Sequence, residues 1–282
     1  MNRIVFFTIA VIMLSGCSTI KSMLGVNYND QQRSRSSLVD FLYPNTRGEV
    51  KIKPKIPNLN IPLRVGISFV PDSCGSYMRH DLNEGLKNSL LKKVSAKFEN
   101  KDIIDYVKVI PATYLRRKGS FNNLRDIKRQ FNVDIMVLLS YDQVQYTEKT
   151  GLSLIYHWTI LGRYIFEGEK NDTVTIVNSA VYDIDSEELL FGSSGKSKVR
   201  SNAASAFISE ELRLNSQKGF DLAITNLIIK IDNDLERFKR KIKAKTVAVN
   251  VHYRSGGGTL SLAFASFVIV LMVIRRRTKY VN

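Results

Sequence analysis

Cysteine, histidine, tryptophan and proline are all scarce in this chain. Two cysteines, three histidines, one tryptophan and six prolines are spread over 282 residues. Two cysteines cannot build the disulfide framework of a small secreted scaffold. His80, His157 and His252 lack the His/Cys/Asp spacing of a zinc or related metal site. No G-x-S-x-G elbow is present to expose a serine nucleophile. Neither a catalytic constellation nor a cofactor is therefore implied. Acids are also in the minority, with 26 Asp and Glu against 42 Lys and Arg, a formal charge of +16. Five of the cations, Arg3, Arg275, Arg276, Arg277 and Lys279, stand in terminal segments without acids. Subtracting these five leaves +11 for the body. Nothing in the body resembles a DNA-reading helix or an aromatic RNA motif, so nucleic acid is not an expected partner. Anionic headgroups or polymers suit a body of this charge better.

What is present is concentrated at the two ends. Residues 1–16 combine Arg3, an apolar stretch from Ile4 to Leu14 and the small pair Ser15-Gly16, the anatomy of a signal peptide. The apolar stretch is too short to cross a bilayer comfortably. The run Leu14-Ser15-Gly16-Cys17 matches the lipobox of bacterial lipoproteins, in which the cysteine thiol receives a diacylglycerol and becomes the new N-terminus. Several acyl chains anchor stably where one does not. By resemblance to Gram-negative lipoproteins, Ser18 after the cysteine favours transfer to the outer membrane. With Cys17 acylated, Cys74 has no intramolecular partner. It is read as an unreactive thiol in the loop PDSCGS, with pairing between chains as the alternative.

At the other end, Gly256-Gly257-Gly258 precede sixteen uncharged residues, 259–274, closed by Arg275, Arg276 and Arg277. As a helix the span is about 24 Å long, somewhat short of a hydrocarbon core of about 30 Å. The arginines hold the far end on the cytoplasmic side, which puts the body outside. Permanent anchors at both ends would conflict, and a temporary tail removes the conflict. The glycine run weakens helix and lets the backbone open there. Glycines, short apolar span and arginines together look like the GlyGly-CTERM sorting signal processed by rhombosortase, a rhomboid-like protease. With the lipobox, the chain resembles the rhombotarget lipoprotein family, which implies that protease and the lipoprotein-processing enzymes as partners.

Between the ends, 17–60 reads as a lipidated tether and lead-in. It is polar in NYNDQQRSRSS, apolar in SLVDFLYP and extended in the proline-bearing KIKPKIPNLNIP. The domain spans 61–245, and 246–255 reads as a spacer before the tail of 256–279. Leu63, Val65, Ile67 and Phe69 alternate with small or polar residues, predicting a strand. Leu82, Leu86, Leu90, Val94 and Phe98 recur at helical spacing. DYVKVIP reads as a strand, FNNLRDIKRQF as a short helix and DIMVLLSYDQVQY as a central strand. SLIYHWTILGRYIF and DTVTIVNSAVYDI read as a hairpin joined by EGEKND, and DSEELLFGSSGKSKV as a turn and strand. Phe220, Ile224, Leu227, Ile231, Leu235 and Phe238 mark a long closing helix. This order predicts an α+β fold, a mixed sheet with packed helices. It resembles the periplasmic domains of curli-secretion and cell-wall-synthase-activator lipoproteins, which implies a protein partner or a homo-oligomer.

Three charged motifs remain. Gly195-Lys196-Ser197 ends like a P-loop, but Leu190 stands where the first glycine belongs, so it reads as a turn. Asp183, Asp185, Glu187 and Glu188 read as a solvated hairpin tip rather than a calcium site. Arg237, Lys239, Arg240, Lys241, Lys243 and Lys245 crowd the end of the last helix. They suit either an anionic surface or simply the negative end of a helix dipole. The leading expectation is a non-enzymatic exported lipoprotein, lipidated at Cys17, held transiently by its tail and delivered to the outer membrane or cell surface. The alternatives are a surface hydrolase with an unrecognised site and a permanently tethered structural protein.

Overall fold

The computed structural model describes residues 28–44, 55–72, 82–149, 167–204 and 207–254. The elements are β1 (Tyr28–Arg35), α1 (Leu38–Leu42), β2 (Asn58–Ile61), β3 (Leu63–Phe69), α2 (Glu84–Phe98) and β4 (Ile104–Val109). After a turn of 3-10 helix come α3 (Ser120–Phe131), β5 (Ile135–Lys149), β6 (Glu167–Asp183), β7 (Leu189–Ala204), α4 (Ile208–Lys243) and β8 (Asn250–Tyr253). The α+β architecture with a mixed sheet and packed helices expected from the element order is the one observed.

The main sheet runs β4-β3-β5-β6-β7, with β1 added beside the second half of β5. β3 is parallel to β4 and β5, as a helical crossover requires. β5, β6 and β7 form an antiparallel meander, and β1 is antiparallel to β5. β5 has 15 residues, roughly 50 Å of strand. The 36 residues of α4 give about 54 Å of helix, enough to accompany the meander from end to end.

One face of the sheet packs on α2 and α4. Leu63, Val65, Ile67 and Phe69, the alternating set of β3, enter this core with Leu90, Val94, Phe98, Phe220 and Leu227. Tyr141 meets Phe220 edge-on at 5.2 Å and Phe69 at 6.2 Å, which locks α4 against the centre of the sheet. Among the described residues, the other face is covered by α1, α3 and the 3-10 turn, but only over the first half of β5. Phe41, Leu42, Phe121, Leu124 and Ile127 bury Met136, Leu138, Ala180 and Tyr182 there. α2 starts on the Asn83 side chain, which accepts from Leu86 N at 2.7 Å. α3 ends on Asn132 in the left-handed region.

Several expectations are corrected. The polar tether is partly β1, because its side chains need no core when one sheet face is open and the backbone pairs with β5. The EGEKND turn lies within β6, and Glu169 pairs with Lys149. Among the described residues the hairpin is β5 with β6, and SLIYHWTILGRYIF, 153–166, lies wholly outside them. The spacer of 246–255 contains β8, which pairs in parallel with β2. FGSSGKSK is strand rather than turn: Gly195 lies where β7 passes under α4. The last helix starts at Ile208, twelve residues before Phe220, where the apolar face read from sequence begins, because its first turns bury the polar Asn215 and Ser216 beside Leu212.

Candidate functional site: an open basic sheet face

β5, β6 and β7 outrun α1 and α3, and β1 continues beside them. Cross-strand partners share a face of a sheet, so the register sorts the side chains of this arm. On the uncovered side stand Asp142, Val144 and Tyr146 of β5 with Ile176, Val174 and Asp172 of β6. Lys196, Lys198 and Arg200 stand opposite them on β7, and Arg33 and Arg35 stand on β1. Alternate positions along a strand set the three cations of β7 about 7 Å apart. Four strands make the face about 14 Å wide between the outer two.

Its electrostatics are one-sided. Arg33 Nε donates to Asp142 Oδ1 at 2.9 Å. Lys198 and Arg200 share Asp172 at 2.7 and 3.4 Å. Among the described side chains, those two carboxylates face Arg33, Arg35, Lys170, Lys196, Lys198 and Arg200. The floor between the rims is apolar and half-buried, made of Val144, Val174 and Ile176. Tyr146 is 42% exposed. Near the tip a hollow of about 360 Å³ is bordered by Tyr146, Lys170, Asp172, Arg200 and Asn202.

The reverse side of the arm is polar and closed. Gln143 Nε2 donates to Thr175 Oγ1 at 2.7 Å and to Ser216 O at 3.2 Å, while Ser216 Oγ donates back to Gln143 Oε1 at 2.6 Å. Gln145 Nε2 donates to Leu212 O at 2.7 Å. Buried amides and hydroxyls must be paired in this way to avoid a desolvation cost. Asn171, 1% exposed, is the exception, with neither amide atom bonded.

Two ionic nodes hold the rest together. Lys87, 4% exposed, pairs with Glu84 at 3.0 Å and Asp72 at 3.4 Å. Tyr141 donates its hydroxyl to Asp72 at 2.8 Å. This node ties the start of α2 to the centre of β5. At the end of the molecule away from the arm, Asp134 accepts two bonds from Arg64, at 2.8 and 2.9 Å, and one from Arg254 at 2.6 Å. Burial pushes its carboxyl up, yet the bonds from Arg64 and Arg254 outweigh burial and hold it below the usual range. Asp183 goes the other way: burial raises its carboxyl, partly offset by Ser186. A small apolar cavity of about 50 Å³ lies between the sheet, α2 and α4, bordered by Val65, Val94, Val137, Phe191 and Leu235 among others.

The basic run at the end of α4 is divided by the fold. Lys239 is drawn to Asp102 at 2.9 Å and Glu236 at 3.4 Å, and Arg237 to Asp234 at 3.2 Å. Arg240, Lys241, Lys243 and Lys245 remain exposed. The acidic turn after β6 is engaged by cations: Arg125 meets Glu187 at 2.6 Å, and Lys128 meets Asp185. His252 is exposed on β8. Cys17, Ser18, Cys74, His80, His157, Gly256, Gly257, Gly258, Arg275, Arg276 and Arg277 lie outside the described residues. So does the span 259–274; among the described residues, no helix is long and apolar enough to cross a membrane. Nor do the described residues gather three His, Cys, Asp or Glu in a metal-holding group. The open face was missed in the sequence because Arg33 and Arg35 are over 160 positions from Arg200. Only the register unites them.

No family model matches the chain, and no curated protein matches it. Among solved structures, it is similar to a leucine-to-methionine variant of PelC, a dodecamer from Paraburkholderia phytofirmans. The two are 13% identical with a TM-score of 0.25, over 67% of this chain and 94% of that chain.

Proposed function

We propose that this chain is an exported lipoprotein acting as a non-enzymatic binding or assembly module at the outer membrane or cell surface. Cys17 carries the lipid and Ser18 permits outer-membrane sorting. Gly256, Gly257 and Gly258 are the segment recognised by a rhomboid-like sorting protease, and Arg275, Arg276 and Arg277 hold the tail on the cytoplasmic side until it is cut. The single observation supporting a binding role is the broad arm face, left uncovered by the described residues and rimmed with cations. A surface of that kind suits contact with a partner better than enclosure of a small substrate.

Terminal mass spectrometry of protein purified from membranes tests this reading. The expected mature form begins at acylated Cys17 and ends near the glycine run. A form retaining Arg275 to Arg277 in cells that contain the protease rejects the processing step. Fatty-acid labelling that persists in Cys17→Ser rejects the lipid site.

A further inference from the structure

The two proposed anchors leave the body at opposite ends. Tyr28 pairs with Lys149 at the tip of the arm, so the chain from Cys17 arrives there through the ten residues 18–27. Those residues reach at most about 35 Å. The open face extends back from the same tip, from Tyr28 to Arg35, over roughly 23 Å of strand. A lipid on Cys17 therefore keeps this face within reach of the bilayer that holds it. Arg254, by contrast, bonds to Asp134 and Ile61 at the far end of the sheet, so the exposed cations ending α4 point away from that bilayer.

We infer that the open face of β1, β5, β6 and β7 lies on the anionic headgroup layer beside the Cys17 anchor. This rests on the lipoprotein reading above. The chemistry fits lipid in three respects. Cations on both rims, Arg33 and Arg35 on one and Lys196, Lys198 and Arg200 on the other, suit several headgroups at once. The floor of Val144, Val174 and Ile176 offers no hydrogen bonds with which to read a sugar or base. Tyr146, half out of the surface at the tip, is the residue type that settles at a membrane interface. Basic side chains near an anionic surface add their attractions and lose them to salt.

The test uses the mature lipidated chain in nanodiscs of phosphatidylcholine, with or without phosphatidylglycerol. Asn178 is exposed on β6 two positions beyond Ile176 and so on the same face; Cys74→Ser with Asn178→Cys allows one fluorophore there, and a quencher is carried on lipid headgroups. Quenching is expected to rise about threefold in anionic discs and to return to the neutral level in high salt. Lys196→Gln/Lys198→Gln/Arg200→Gln should abolish the rise, Lys198→Arg should retain it, and Arg240→Gln/Lys241→Gln should leave it intact. Should the β7 variant fail to fold, the salt response of the parent chain decides. Equal quenching in both kinds of disc overturns the inference, as does loss of the rise only on changing Arg240 and Lys241. Binding of dextran sulfate without added quenching makes a soluble polyanion the partner and overturns it too. Terminal mass of the same sample separates the two claims. An acylated chain without the rise sinks the docking alone, whereas an unacylated Cys17 sinks both.

Discussion

Single side chains in this fold are set by close approach and by burial of charge. At Gly195 a Cβ would stand 2.1 Å from Ala223 O and 2.6 Å from Leu227 N, both backbone atoms of α4 that cannot step aside. Gly195→Ala should cost about 3 kcal/mol or more in urea unfolding, since the helix must lift off β7. Asp134 and Asp183 should give opposite pH signatures. The lowered carboxyl of Asp134 favours folding above its ordinary value of 3.8, and the benefit is lost as pH falls through its folded value. The raised carboxyl of Asp183 binds its proton more tightly in the folded state, so its contribution is present at acid pH and lost as pH rises through the raised value. Asn at 183 keeps an acceptor for Ser186 N, which now bonds Oδ2 at 3.0 Å. Asp183→Asn should therefore raise the melting temperature near neutral pH and give no gain in acid. Asp134→Asn should lower it near neutral pH, with the deficit closing in acid. Thermal unfolding across that range checks both signs.

Elements follow the same physics, and the arm is where local pattern and tertiary structure part company. The first three turns of α4 rest on Gln143, Gln145, Thr173 and Thr175, and the helix enters the apolar core only from Phe220 onward. Gln143→Ala removes the partner of Ser216 Oγ and should cost about 1–3 kcal/mol. Amide exchange should show the loosening in the first turns of α4 and leave its later turns, packed through Leu227, Ile231 and Leu235, protected. Exchange that quickens uniformly along α4 would count against a separable polar start. The same chemistry explains what could be read in advance. β3, α2 and α4 from Phe220 onward are marked by apolar periodicity, because each buries one face in the main core. β1 and the start of β6 are polar on both sides, and the first turns of α4 bury Leu212 beside polar Asn215 and Ser216, so no sustained hydrophobic pattern marks them. Arg237 to Lys245 were legible as a basic run, but the capture of Lys239 by Asp102 depends on a contact 137 positions away. The open face left no local signal at all, since its two rims come from opposite ends of the domain.

At the scale of the whole molecule, the decisive feature is how little free chain precedes the glycine run. Residues 246–255 looked like a spacer, yet β8 pairs with β2 and Arg254 is fixed behind it. Arg254 N donates to Ile61 O at 2.8 Å. Its guanidinium reaches Asp134 at 2.6 Å and Asp105 at 3.7 Å. Only Ser255 then separates the folded body from Gly256. On the proposed reading, a membrane protease must open the backbone at glycines that begin two residues after the fixed Arg254, so the clamp restrains cleavage. Arg254→Gln keeps the backbone bond to Ile61 but gives up the charge on Asp134. Its loss should fray β8, whose four residues pair with β2 alone, and hand the protease several more residues of slack. Pulse-chase labelling with intact-mass readout should then show tail removal faster than in the parent chain, with Asp134→Asn acting the same way. Lys128→Gln also removes a cation from Asp134, at 3.4 Å, but leaves β8 attached and should process at the parental rate. Equal rates in all three variants would mean that the clamp steadies the fold without governing when the tail is released.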